Sequence, residues 1–432
     1  MKKREDFLEL QRVALDKAVS EVMDKAAVAL TQNPRVKKMM KIVETFLKDN
    51  KLVCYGGTAI NNILPEESRF YDPIHELPDY DFFSPTALDH AKELADIYLK
   101  NGFVHVVAKA GVHHGTYKVF VDFIPVADIT QIPDELDAAL RAEAVKRNGI
   151  LYAPPHYLQM AMYLELSRPS GDVSRWSKVL DRLILLNDEY PLEKAGCDLD
   201  DTLGREYKGD QKDQRKIHRV LRNALIDEEV VFFGAYAASL YDSYLPPSCR
   251  SSKTYQPDFD VLTEDIYGVG SKLQSVLAGK GYEAELVEHE GFGEIMSDHV
   301  EVKVGEDSVA FLYSPLACHN YNTIVVNHRK VRVATIDTML SLYLAFTFAN
   351  RPYHDRERIF CMAKYMFEVQ LATDLGRKGP FKRFSIDCIG HQERLEDILL
   401  LKAAKHEELK EKKGKEYEQW FLRYEPKNST KK

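Results

Sequence analysis

Residues Lys51–Leu64 (KLVCYGGTAINNIL), followed by Pro78–Phe83 (PDYDFF), decide how the chain folds. Leu52 to Tyr55 is an apolar run of strand length, Gly56-Gly57-Thr58 makes a tight turn, and Ala59 onward starts a helix. A strand, a glycine turn and a helix N-terminus point backbone N–H groups at an anion. Asp79 and Asp81 stand two apart on a second strand that Ser84-Pro85 stops, so their carboxylates project to one face.

Working outward, Leu88, Ala91, Leu94, Ala95 and Tyr98 share one face of a helix from Thr86 to Lys100, with Asn101-Gly102 as its C-cap. Phe103 to Val107 and Tyr117 to Val126 read as two strands joined through the glycines of 111–115. Asp122 sits alone in Val119–Pro125 (VFVDFIP), and an unpaired aspartate among Val, Phe and Ile is costly to bury. It is therefore expected to be a third carboxylate on the same face. Upstream, Phe7, Leu8, Leu10, Val13, Ala14, Ala18, Val22 and Ala26 recur at helical spacing, broken near Asn33-Pro34. Downstream, a helical pattern from Ala153 to Asn187 carries Lys178 and Arg182 one turn apart, and the polar stretch from Asp198 to Gln214 reads as a linker.

The pattern repeats. Gly56 and Gly234 are offset by 178, Asp79 and Asp258 by 179, and Asp81 and Asp260 by 179. Val309–Pro315 aligns with Val119–Pro125 at an offset of 190, which places Leu312 where Asp122 stands. Ala235 replaces Gly57. The first copy thus reads as active and the second as degenerate, unless Glu301 in the alternating run His299–Val304 supplies a third acid there. The expected architecture is α+β: a leader 1–50, a catalytic domain with following helices 51–197, a linker 198–214, a degenerate copy 215–375 and a basic helical region 376–432.

Composition narrows the classes. The chain has 432 residues with 45% hydrophobic and 29% charged, enough apolar material for packed cores and too long for one. The charged N-terminus has no apolar signal segment, and no long uncharged run reads as a membrane span. Net charge is −8, yet residues 376–432 hold 15 Lys or Arg against 10 Asp or Glu, so nucleic-acid binding must use a local patch. The six cysteines have no CxxC pair and no partner His at zinc-finger spacing. This argues against a disulfide scaffold and a structural zinc site, and for a reducing compartment.

Three crowded carboxylates repel one another, and hard divalent ions with oxygen ligands, Mg2+ or Mn2+, are the usual remedy. Two such ions can clamp the attacking and leaving oxygens of phosphoryl transfer, with the triphosphate at the glycine turn. An isolated Asp-x-Asp is usually a solvated strand end, and an isolated glycine turn is only a turn. Their conjunction in this order and spacing separates the two readings.

In that conjunction the chain resembles the nucleotidyltransferase superfamily that includes DNA polymerase beta. More narrowly, Tyr55–Asn61, Pro78–Ser84, Val121–Pro125 and Ser174–Arg182 resemble the poly(A) polymerase catalytic subunits of large cytoplasmic DNA viruses, the poxvirus and giant-virus type. The resemblance implies tandem nucleotidyltransferase-like domains and template-independent addition of adenylate from ATP to RNA 3' ends. It also implies two Mg2+ or Mn2+ ions held by Asp79, Asp81 and Asp122, with Asp122 taking the proton of the primer hydroxyl. Gly56, Gly57 and Thr58 would meet the triphosphate, and Lys178 and Arg182 its phosphates. A homodimer or a separate processivity subunit, and a place in the host cytoplasm or virion, come with it. The residues alone leave open a uridylyl- or CCA-adding enzyme, because base choice lies in pocket contacts, and an inactive RNA-binding scaffold.

Overall fold

A computed structural model of the chain describes residues 2–193, 196–198, 202–204, 207–244, 250, 256–372, 379–412 and 414–427. Cys249, parts of the expected linker and the start of the basic region at Gly376 lie outside the described residues. Two compact units form, Met1–Pro154 with Ile398–Lys432, and Pro155–Asp397.

The first unit contains α1 (Lys2–Gln32), α2 (Pro34–Asp49), β1 (Val53–Tyr55), α3 (Gly56–Ile63), β2 (Asp81–Ser84), α4 (Ala87–Lys100), β3 (Val106–Ala110), β4 (Thr116–Val121), β5 (Ile124–Gln131), α5 (Asp134–Glu143), β6 (Val145–Arg147) and β7 (Ile150–Tyr152). The break at Asn33-Pro34 is physical: the Asn33 side chain accepts from Arg35 N while Pro34 takes the first helical position, where its missing N–H costs nothing. α2 buries Val36, Met39, Val43, Phe46 and Leu47, and α4 buries the apolar face read from its spacing. The sheet runs β3-β4-β5-β2-β1-β7-β6, with the strand Arg423–Tyr424 added outside β3.

The second unit contains α6 (Pro155–Leu166), α7 (Trp176–Glu189), α8 (Gln211–Asp227), β8 (Val231–Phe232), α9 (Ala235–Tyr241), β9 (Phe259–Leu262), α10 (Ile266–Ala278), β10 (Glu285–His289), β11 (His299–Val304), β12 (Asp307–Tyr313), β13 (His319–Val326), β14 (Arg329–Ala334), α11 (Ile336–Ala349), α12 (Arg356–Ala372) and β15 (Cys388–Ile389). Its sheet order is β10-β11-β12-β9-β8-β14-β13-β15. The first seven strands match β3-β4-β5-β2-β1-β7-β6 one for one. The directions match as well: β1–β2 and β8–β9 are antiparallel, while β2–β5, β9–β12, β1–β7 and β8–β14 are parallel. The α+β tandem expected from the repeated glycine and aspartates is therefore present.

The division of the chain differs from the expected one. The helices after residue 155 pack in the second unit rather than closing a catalytic domain 51–197, because α11 is buried on every side and α6 and α12 cover it. The C-terminal residues return to the first unit, where Lys92 pairs with Glu418 at 2.6 Å. The cysteines also depart from expectation. Cys197–Cys361 and Cys318–Cys388 are disulfides with Cα separations of 5.6 and 5.3 Å, and Cys54 is buried and free. Tertiary packing brings these distant partners within bridging range, which residue spacing does not encode.

Candidate active site

The site is built where β1 runs into α3. Gly56 has φ +72°, a conformation that disfavours side chains, and a Cβ there would lie 2.7 Å from Asp81 Oδ2. A glycine is therefore what lets the Asp81 carboxylate reach the turn. Gly234 repeats the arrangement in the second copy, where a Cβ would strike the Asp260 carboxylate.

The loop before β2 is tied on both sides. Asn61 Oδ1 accepts from the backbone N–H groups of Phe70 and Tyr71, each at 2.9 Å, and Tyr80 donates its hydroxyl to Glu44 at 2.8 Å. The Thr58 hydroxyl donates to the Asp79 carbonyl at 2.6 Å. Thr58 is buried, so its side chain positions Asp79 and only its backbone N–H is left for a phosphate.

β2 lies parallel to β5 with Asp81 opposite Asp128 and Phe82 opposite Ile129. Neighbouring strands are about 4.8 Å apart, so these two carboxylates are immediate neighbours. Burial raises the pKa of Asp79, and the charge of Asp128 raises it further against the opposing charge of Lys118. Asp79, Asp81 and Asp128 thus form one electrostatic group. Beneath it, burial and then Asp81 and Asp79 push the Cys54 thiol upward, so it stays protonated.

Asp122 is not part of this group, which corrects the sequence reading. It occupies the first position of a two-residue turn between β4 and β5, with φ +48° there and +68° at Phe123. Its carboxylate pairs with Arg35 Nε at 2.6 Å, and its backbone N–H donates to the His105 carbonyl. Along β5 it lies roughly 20 Å from Asp128. The carboxylate in register with Asp81 is instead Asp128, and Pro125 is the signal in the sequence that separates it from Asp122, because proline is confined to strand starts, edges and bulges. Asp128 then stands alone among Val126, Ala127 and Ile129.

The second copy is emptied of acid at the corresponding place. Asp260 is in register with Phe311, one residue before the Leu312 expected, because the copies align at β5 and β12 rather than at their prolines. Glu301 is in register with Phe311 one strand further out, and it bonds His289 Nε2 at 2.9 Å and the Ser308 hydroxyl. It takes the sheet position of Lys118, not that of a third aspartate. Asp258 is bound by the Arg358 guanidinium, with Nη2 to Oδ1 at 3.0 Å.

Lys178 is exposed and Arg182 partly so on α7, which belongs to the second unit. Trp176 at the start of that helix donates its indole N–H to the Glu165 carbonyl at 3.0 Å and packs on Phe384. It is a packing residue here.

The donor set suits hard divalent ions, being all carboxylate, with burial and then the charge of Asp128 raising Asp79. Among the described residues no three acidic, histidine or cysteine side chains already converge as a closed cage. No described helix is long and apolar enough to cross a membrane.

A strand–glycine turn–helix, an Asp-x-Asp strand and a third aspartate in register across a parallel neighbour define the nucleotidyltransferase fold, present twice with one acid-complete copy. Residues 41–172 match the family described as "Poly(A) polymerase catalytic subunit". It is 29% identical over 166 residues to the putative poly(A) polymerase catalytic subunit of Acanthamoeba polyphaga mimivirus, covering 38% of this chain and 28% of that protein. It is 32% identical over 163 residues to the counterpart of African swine fever virus (isolate Tick/Malawi/Lil 20-1/1983), covering 36% and 34%. The matches thus span about a third of these curated relatives. The fold is that of the Megavirus polyadenylate synthase crystal structure, with TM-score 0.78 and 22% identity over 93% of this chain and 83% of that one.

Proposed function

We propose that the protein is a template-independent polynucleotide adenylyltransferase that adds adenylate from ATP to RNA 3' ends at its first copy. The register of Asp81 with Asp128 beside the Gly56 turn carries this reading. Asp79, Asp81 and Asp128 would hold two Mg2+ or Mn2+ ions, which supply charge neutralisation to the attacking 3'-oxygen and the leaving pyrophosphate. Gly56 and Gly57 leave the N-terminus of α3 open, so its backbone N–H groups can take the triphosphate. Asp128, at the partly exposed edge of the group, would accept the primer hydroxyl proton in the role first read for Asp122. Lys178 and Arg182 are proposed as phosphate contacts on the motif resemblance alone. A self-contained homodimer in the host cytoplasm or virion belongs to the same reading; the exposed Phe7, Leu10, Val13 and Val22 on α1 support a partner surface, and the mass of the full chain in sedimentation tests it.

Primer extension on a short labelled RNA with Mg2+ or Mn2+ and each of the four NTPs decides the matter. Extension with ATP alone supports the proposal. UTP or CTP incorporation would instead make it a uridylyl- or CCA-type enzyme, and no incorporation with either metal would make it an RNA-binding scaffold.

A further inference from the structure

Lys118 on β4 lies directly across from Asp128 on β5, and its ammonium forms an ion pair with Asp128 Oδ2. The lysine side chain is 36% exposed and the aspartate 17%, so the pair sits at the mouth of the carboxylate group rather than beneath it. An ammonium on a four-carbon stem is a mobile point charge that can leave without disturbing the sheet.

The second copy answers the same electrostatic problem differently. Where Lys118 and Asp128 stand in the first copy, it has Glu301 and Phe311. Its Asp258 is held by Arg358 from α12, which also donates Nε to the Thr202 carbonyl at 2.9 Å. Both partners are nearly sealed, at 15% and 4% side-chain exposure. Each copy therefore carries its own internal cation against its aspartates: a planar, doubly anchored and buried one in the degenerate copy, and a mobile, half-open one in the acid-complete copy.

We propose that Lys118 is an internal competitor for the divalent ion, occupying an Asp128 oxygen that the ion needs, so that it sets how weakly the first copy holds metal and must release Asp128 as metal binds. A monovalent and a divalent cation at one carboxylate repel each other, so occupancy by one lowers occupancy by the other. The inference rests on the metal-site reading of Asp79, Asp81 and Asp128 given above.

The test is Mn2+ binding by the full chain without nucleotide, followed by the loss of the free-ion electron paramagnetic resonance signal. A competitor that holds the site about 90% of the time weakens apparent affinity roughly tenfold. Lys118→Met should therefore bind Mn2+ roughly tenfold more tightly than wild type, whereas Lys118→Arg, which keeps the charge, should stay near wild type. Lys118→Gln repeats the measurement with a polar side chain should the methionine disturb the fold, and Asp128→Asn should weaken binding. Wild-type binding with unchanged or weaker affinity in both Lys118→Met and Lys118→Gln overturns the role of Lys118 alone. No Mn2+ binding by wild type and both variants overturns the metal site itself, and this inference with it.

Discussion

Asp81 and Asp128 stand opposite each other across the parallel β2–β5 pair, while Asp122 points from a hairpin turn to Arg35. Asp128→Asn should lower adenylate incorporation by at least about 100-fold, since a carboxylate that positions reacting charge cannot be replaced by a neutral amide. Asp122→Asn should leave both incorporation and thermal midpoint near wild type, because it removes only an open ion pair. Comparable loss in both variants would return Asp122 to the site.

The second copy depends on Arg358. Removing one partner of a sealed ion pair strands the other charge, at a cost of about 3–5 kcal/mol. Arg358→Met should lower stability in urea by that order, and adding Asp258→Leu should restore much of it. If the double variant is no better than the single, the guanidinium contributes by packing and by its bond to Thr202 rather than by neutralising Asp258.

Three buried histidines should make the second unit acid-sensitive. Burial is the largest cause in each case, lowering His218 and His299 to about 4 and His319 to about 3. Unfolded histidine titrates near 6.5, so between these values the unfolded chain binds more protons. Stability is then full above about pH 6.5 and falls as the pH drops toward 4, by on the order of 1–2 kcal/mol per histidine at pH 5. Unfolding midpoints measured from pH 7.5 to 5 should decline, and His319→Gln should flatten part of that slope; a flat wild-type profile would contradict it.

The disulfides make a fourth prediction. Non-reducing peptide mapping should recover Cys197 linked to Cys361 and Cys318 linked to Cys388, with Cys54 unreactive until unfolding. Reduction should cost roughly 2–4 kcal/mol per bridge. Six free thiols in the native chain would refute the pairing.

What the sequence made legible were features with local geometric meaning. A glycine that must take positive φ at residue 56 and carboxylates two apart on a strand are readable without knowing any partner strand. The tandem sheet followed from finding both twice. Asp128 escaped because its importance lies in a pairing with Asp81, 47 residues away in the chain, and because the turn at Asp122-Phe123 has positive φ at two positions without a glycine to announce it. The bridges, spanning 164 and 70 residues, and the packing of α6 on α11 are likewise decided by tertiary structure alone.

Arg358 gives the two copies different thermodynamic dependences. A site that binds a free ion gains stability by mass action as that ion's concentration rises, whereas a counter-charge carried in the chain is always at saturation. On the proposed metal site, the first copy would be tuned by divalent-ion activity, whereas Asp258 of the second is neutralised by Arg358 at any ion concentration. A chelator should lower the melting of one half of the protein while leaving the other where it was.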